Sequence, residues 1–321
     1  MATYPGLTSE AFRHPLDAQA EQALRAIPGF EQVTRSFVEY LYERPQQVYL
    51  MGNCVAAGPR QYATIYGIFR DCVRDLSLNV EPSLFVSQNP QVNSYSLGSD
   101  HPSMVINSGA MDLLSEAELR TVIAHELGHI KCGHTVLKQM AIWAMGATEM
   151  IGELTLGIGR MLNQGLVYGF YEWSRKAELS ADRAALLVVD DLNLVAQTMM
   201  RVAGGSQKYA HECSLAEFTR QAERYQALDG DELNQIYKFL IYNGGNGALV
   251  THPFPVERLH YLQHWSQSEQ YRHLRQGHYI PNPAEGAVNT AASAAGEVNG
   301  LQRQIEQLQA EIDRIRGRGS R

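Results

Sequence analysis

Two histidines four positions apart, His125 and His129, enclose Glu126 in the segment His125-Glu126-Leu127-Gly128-His129. On a helix, residues four apart share a face, so both imidazoles can meet one ion while the carboxylate between them turns toward the same cleft. The chemistry this serves is metal-assisted hydrolysis: the ion makes a water acidic and the nearby carboxylate takes its proton. A hydrolytic zinc usually has three protein ligands and keeps one position open for water. A third ligand must therefore come from elsewhere in the chain.

Two standard arrangements supply it. The metzincin pattern HExxHxxGxxH needs Gly at 132 and His at 135, where this chain has Cys132 and Thr135, and His134 stands one place short. Spacing excludes that class. The gluzincin arrangement takes a Glu from a later helix, with Asp one turn beyond to orient a ligand histidine, and Glu178-Leu179-Ser180-Ala181-Asp182 matches it. The expected ligands of one zinc ion per chain are thus His125, His129 and Glu178, with Glu126 as general base and Asp182 behind a ligand histidine. Surface salt bridges on two helices would not explain why these groups stand in apolar stretches, where a buried charge needs a partner.

The elements around them can be read from periodicity. Ser115 followed by Glu118 is a capping-box pattern, after which Leu119, Val122, Ile123, Leu127 and Ile130 recur on one helical face. Glu178 and Asp182 lie one turn apart on a second expected helix, Glu172 to Val189, rich in alanine. Upstream, Phe30, Val33, Phe37 and Leu41, and then Tyr62, Ile65, Phe69, Cys72 and Leu76, keep helical spacing. Between Pro82 and Ser108 the pattern changes to short β-like runs, 84–86, 93–97 and 104–107, separated by turn signals. The expected fold is α+β and predominantly helical, with a small antiparallel sheet.

A catalytic domain is expected over 1–276, followed by a flexible Ala/Gly/Asn/Pro/Ser linker over 277–297. Over 298–316, Val298, Leu301, Ile305, Leu308, Ile312 and Ile315 alternate spacings of three and four. This predicts a short coiled-coil helix and a homo-oligomer, the β-branched residues at a favouring a parallel dimer.

At 321 residues with a net charge of −7 and a pI near 5.9, the chain has no basic stretch before its extreme C-terminus to neutralise phosphates, which argues against a nucleic-acid partner. Its N-terminus lacks the basic and apolar regions of a signal peptide, so the expected compartment is the cytoplasm. Cys54, Cys72, Cys132 and Cys213 are widely spaced and read as reduced thiols. The apolar stretch 140–170 is broken by Glu149, Glu153 and Arg160, which predicts no transmembrane helix but leaves open a buried hairpin, a self-association face or a peripheral membrane contact. His260 and His264 are four apart without a carboxylate motif and read as an exposed helical face.

From Phe12 to Trp265 the chain resembles the zinc metallopeptidases of family M48, which include the bacterial membrane protease HtpX and the CAAX prenyl protease. The resemblance rests on the HELGH segment, on 177–184 (Ala-Glu-Leu-Ser-Ala-Asp-Arg-Ala), and on Thr251-His252-Pro253 with Glu257-Arg258-Leu259. It implies that His252 and Arg258 stabilise the oxyanion, and that Asn93, Ser94 and Tyr95 belong to an edge strand binding extended peptide through its main chain. The chain departs from membrane members of the family in having no evident spans, which points to a soluble branch. The implied activity is endopeptidase cleavage of peptides or unfolded segments, and the setting it suggests is protein quality control. A second function class is a zinc-fold interaction or chaperone-like holding protein assembled through the coiled coil, against which the intact Glu126 speaks. A third is a latent protease blocked by its tail or its apolar segment.

Overall fold

The helix carrying the HELGH segment starts where its sequence says it should. Ser115 Oγ accepts from the Glu118 N–H while Glu118 Oε2 accepts from the Ser115 N–H at 2.9 Å, closing both halves of the capping box. A computed structural model of the protein describes residues 3–27, 29–30, 34, 37, 43–98, 101–140, 164–229 and 254–279. In it this helix, α5, runs Glu116–Lys131. Preceding it are α1 (Pro15–Arg25), α2 (Glu43–Asn53), α3 (Ala63–Asp75) and the short α4 (Ser108–Leu113). After it come α6 (Gln164–Val189), α7 (Leu192–Gly204), α8 (Leu215–Asp229), α9 (Pro255–Ser266) and α10 (Glu269–Arg275).

The pairing that matters most is α5 on α6, and it depends on small residues. A Cβ built on Gly128 would lie 2.6 Å from Ala184 Cβ and 3.1 Å from Ala181 Cα. The two backbones therefore approach more closely than any side chain at 128 would allow. This approach brings the inner face of α5, with His125 and His129, against the face of α6 carrying Glu178 and Asp182.

Four strands form a sheet in the order β1-β2-β4-β3, with β1 at Val55–Ala56, β2 at Ser83–Ser87, β3 at Ser94–Leu97 and β4 at Ser103–Asn107. The sheet is mixed and not wholly antiparallel: β1–β2 and β3–β4 are antiparallel, but β2 runs parallel to β4. The reason lies in the loop after β2. Gly109 N–H donates to Asn89 O at 2.9 Å and Ser108 Oγ donates to Asn89 O at 3.1 Å, pinning the loop across the end of β4. The chain is thereby carried past β4 to its far side before β3 begins. Periodicity marks where strands are but not which neighbour each takes, and the two-residue β1 carries no periodic signal at all.

The main core gathers Phe69 of α3 and Leu76 just after it, Met104 and Ile106 of β4, Ile123 and Leu127 of α5, Leu187 of α6, and Leu259 and Trp265 of α9, all essentially buried. A second cluster packs Leu24 of α1 and Leu137 against Phe170 and Trp173 of α6, and a third, Leu50, Phe85, Leu97 and Val105, covers the other face of the sheet. Among the described residues no helix is long and apolar enough to cross a membrane. The stretch 141–163, the linker from 280 and the expected coiled coil at 298–316 lie outside the described residues, as does most of the helix expected over 30–41.

Candidate metal centre

Glu178, fully buried on α6, faces both histidines of α5: Oε2 is 3.2 Å from His125 Nε2 and Oε1 is 3.1 Å from His129 Nε2. One ligand atom from each of the three residues lies within 4.8 Å of the other two, a spacing that suits a single ion. The donor set is two imidazoles and a carboxylate, and a carboxylate with no exposed surface requires a cation. These residues fit a metal.

His125 is oriented from behind. Its Nδ1 lies 3.0 Å from Asp182 Oδ1, one turn beyond Glu178. Arg258, on α9, clamps the same carboxylate, donating from Nε to Oδ2 at 2.8 Å and from Nη2 to Oδ1. Burial raises the Asp182 pKa, but the Arg258 guanidinium outweighs it and holds the carboxyl ionised. Burial likewise disfavours protonated His125, yet Asp182 and Glu178 together push its pKa up to about 9. His129 goes the opposite way: burial and the nearby Lys138 ammonium hold its pKa well below the usual histidine range.

Lys138, on the helical stretch 135–140, enters the same centre. Its Nζ donates to Glu178 Oε1 at 2.7 Å and lies 3.0 Å from His129 Nε2, touching two of the atoms a metal would bind. Behind His129, the Nδ1 of buried His134 is 3.0 Å from His129 Nδ1, and His134 Nε2 is 3.0 Å from Oδ2 of buried Asp17. Sequence reasoning missed Lys138, His134 and Asp17. His134 was visible only as a failed metzincin ligand, and Asp17, more than a hundred residues upstream, belongs to no motif.

Glu126 is buried on the adjoining face, where Oε1 accepts from Ser94 Oγ at 3.0 Å; Oε2 has no hydrogen-bond partner among the described residues. Ser94 comes from β3, which pairs with β4 alone among the described strands. The three residues expected to bind substrate therefore separate. Asn93 and Ser94 line the cleft, while the Tyr95 side chain packs on the opposite sheet face beside Leu50 and Leu97. Asn107 N–H bonds to Asn93 O at 3.1 Å. Antiparallel alternation then directs Asn93, Tyr95 and Leu97 toward β4, so the main-chain groups facing the free edge belong to Ser94 and Ser96.

Arg258, expected to stabilise the oxyanion, has two nitrogens on Asp182 and Nη1 3.4 Å from Glu178 Oε2, so its fork faces carboxylates. His252, the other expected oxyanion donor, lies outside the described residues. His260 and His264 are exposed on α9 and join no cluster of metal-binding character among the described residues. Cys132 is also absent from the ligand set.

The centre opens into a cleft of about 510 Å³. Beyond Glu126 and His125 its wall turns apolar, with Leu114, Val122, Val195, Met199, Val202 and Phe254.

The model of peptidase family M48 matches residues 59–266. A plastoglobule-localized metallopeptidase 48, chloroplastic, of Arabidopsis thaliana is 32% identical over 275 residues, covering 84% of this chain and 76% of that protein. A protease HtpX homolog of Dictyoglomus turgidum is 26% identical over 192 residues, 57% of this chain and 59% of that protein, and one of Methylibium petroleiphilum is 24% identical over 244 residues, 70% and 82%. No solved structure matches. With a two-histidine, one-glutamate centre beneath a buried glutamate and a family match covering most of its length, this chain belongs to peptidase family M48 and is a metalloprotease.

Proposed function

We propose that the protein is a zinc endopeptidase in which His125, His129 and Glu178 hold the ion and Glu126 is the general base. The observation that carries this reading is buried Glu126, held by Ser94 on one oxygen and open on the other, beside the three candidate ligands. Zinc, when bound, supplies a Lewis acid that polarises the peptide carbonyl and makes water a nucleophile near neutral pH. Glu126 takes the proton from the attacking water and delivers it to the leaving amine. Ser94 fixes the rotamer of Glu126, and Asp182, steadied by Arg258, fixes the ring of His125. Oxyanion stabilisation falls to His252 in this reading.

The substrate is an extended peptide or an unfolded protein segment. It lies along the free edge of β3 with its main chain on Ser94 and Ser96, and the apolar wall takes a side chain next to the cut bond. Such recognition accepts many sequences and suits protein quality control. Oligomerisation through 298–316 and peripheral contact with a membrane surface through 140–170 complete the proposal. We keep the cytoplasm as the expected compartment, although the Arabidopsis relative is described as chloroplastic. A holding protein without catalysis has no use for a buried base beside three ligands.

The test is cleavage of an unfolded protein by the zinc-loaded chain, with products read by mass spectrometry. Chelator-sensitive cleavage that disappears in Glu126→Gln at full zinc occupancy is expected. Wild-type cleavage by that variant would overturn the assignment.

A further inference from the structure

Gly133, with φ of 71°, ends α5 in the left-handed region and turns the chain beneath its last turn, and the His134 N–H then bonds back to His129 O at 3.0 Å. The His134 ring is fully buried, edge-on to Trp173 at 5.6 Å between centroids. Its Nδ1 lies 3.0 Å from Nδ1 of His129 and its Nε2 lies 3.0 Å from Asp17 Oδ2. That oxygen also receives Arg13 Nε at 2.8 Å and Ser180 Oγ at 2.6 Å. No part of the proposed chemistry uses His134 or Asp17.

We propose that Asp17 and His134 form a buried relay that locks His129 as its Nδ1–H tautomer and so keeps the Nε2 lone pair aimed at the metal. The inference rests on reading His129 as a ligand. Two facing Nδ1 atoms 3.0 Å apart must be one donor and one acceptor. Asp17 decides which is which. Its carboxylate oxygen beside His134 Nε2 favours the proton on that nitrogen, which leaves His134 Nδ1 to accept from His129. The N–H of His134 points off the line to Oδ2, so this contact acts electrostatically and not as an aligned hydrogen bond.

The ligand role of His129 gives the same answer from the other end. His129 Nε2 lies between a donor, Lys138 Nζ at 3.0 Å, and an acceptor, Glu178 Oε1 at 3.1 Å, so these contacts choose no tautomer; as a ligand, Nε2 must present its lone pair, which puts the ring proton on Nδ1. A tautomer fixed in advance spares the metal from selecting one out of two. Carboxylate partners behind ligand histidines do this elsewhere, and removing them typically costs about 10- to 100-fold in metal affinity. Here a second imidazole is interposed between ligand and carboxylate, drawing α1 into the centre.

The experiment measures zinc dissociation constants of the full chain by chelator competition for wild type, His129→Ala, His134→Leu and His134→Asn, with 15N NMR of the histidines in the zinc-loaded wild type. We expect His134→Leu to bind zinc about 10- to 100-fold more weakly. His134→Asn, whose amide oxygen can stand in for Nδ1, should retain most of the affinity. The NMR should place protons on His129 Nδ1 and His134 Nε2. Unchanged zinc affinity in a folded His134→Leu, with or without a lower melting temperature, would mark a purely structural histidine and overturn the relay. A His134 proton on Nδ1 would overturn it too, and this readout decides the matter if His134→Leu fails to fold. Full zinc binding by His129→Ala would instead overturn the ligand assignment, and the inference with it.

Discussion

The hydroxyl of Ser94 donates to Glu126 at 3.0 Å, joining the edge strand to the carboxylate between the two histidines. A group expected to touch substrate through its main chain thus also holds the proposed base. Glu126→Gln is expected to lower kcat by about 100- to 10,000-fold with zinc content unchanged. Ser94→Ala removes one hydrogen bond worth about 1 kcal/mol, so kcat should fall roughly fivefold. Metal analysis beside steady-state kinetics checks both, and loss of zinc from either variant would contradict the assigned roles.

Gly128→Ala should be costly although alanine is the better helix former. The new methyl would meet Ala184 at 2.6 Å, forcing α5 and α6 apart by about 1–3 kcal/mol of overpacking. Because the ligands lie on these two helices, zinc affinity should weaken with the melting temperature. A variant as stable as wild type would show that the two helices slide freely.

Zinc uptake should release about one proton per chain at pH 7. In the metal-free protein His125, with its pKa raised to about 9, is protonated, whereas His129 is already neutral. Release should fade as pH rises through about 9. Calorimetry in buffers of different ionisation enthalpy measures it, and a release near zero at pH 7 would contradict the assignment. The sign for folding is separate: a raised pKa stabilises the metal-free fold fully below about 6.5. That contribution is lost as pH climbs through about 9, so the metal-free melting temperature should decline across this window.

Cleavage products should show a bias for apolar side chains next to the cut bond, set by Met199 and its neighbours in the cleft. Met199→Lys is expected to weaken that bias while leaving zinc affinity unchanged. Peptide-library cleavage read by mass spectrometry tests this, and an unchanged profile would remove the apolar wall from substrate selection.

Residues lying close together in one helix were readable from sequence. Ser115 with Glu118, His125 with His129, and Glu178 with Asp182 follow from helical geometry over one turn. Meetings across the fold were readable only where a motif joined them, as for Glu178 with the two histidines. Nothing in the types of Asp17, His134 and Lys138 announces that α1, the turn after α5 and the following helix converge on the His129 ring. The parallel pairing of β2 with β4 was equally hidden, because it depends on where Asn89 is tethered. Arg258 shows the converse, since its motif was visible but its occupation by Asp182 is a matter of distance.

Lys138 has a consequence for the charge held at the centre. Two positive charges of the chain's own face Glu178, the ammonium of Lys138 and the proton on His125. A divalent ion that displaces both exchanges two charges for two. Glu178 is neutralised on either side of the exchange, and the pocket's potential changes little as metal comes and goes. A carboxylate with no exposed surface thus keeps a cationic partner of the chain's own making, and the packing of α5 on α6 does not rest on an ion alone.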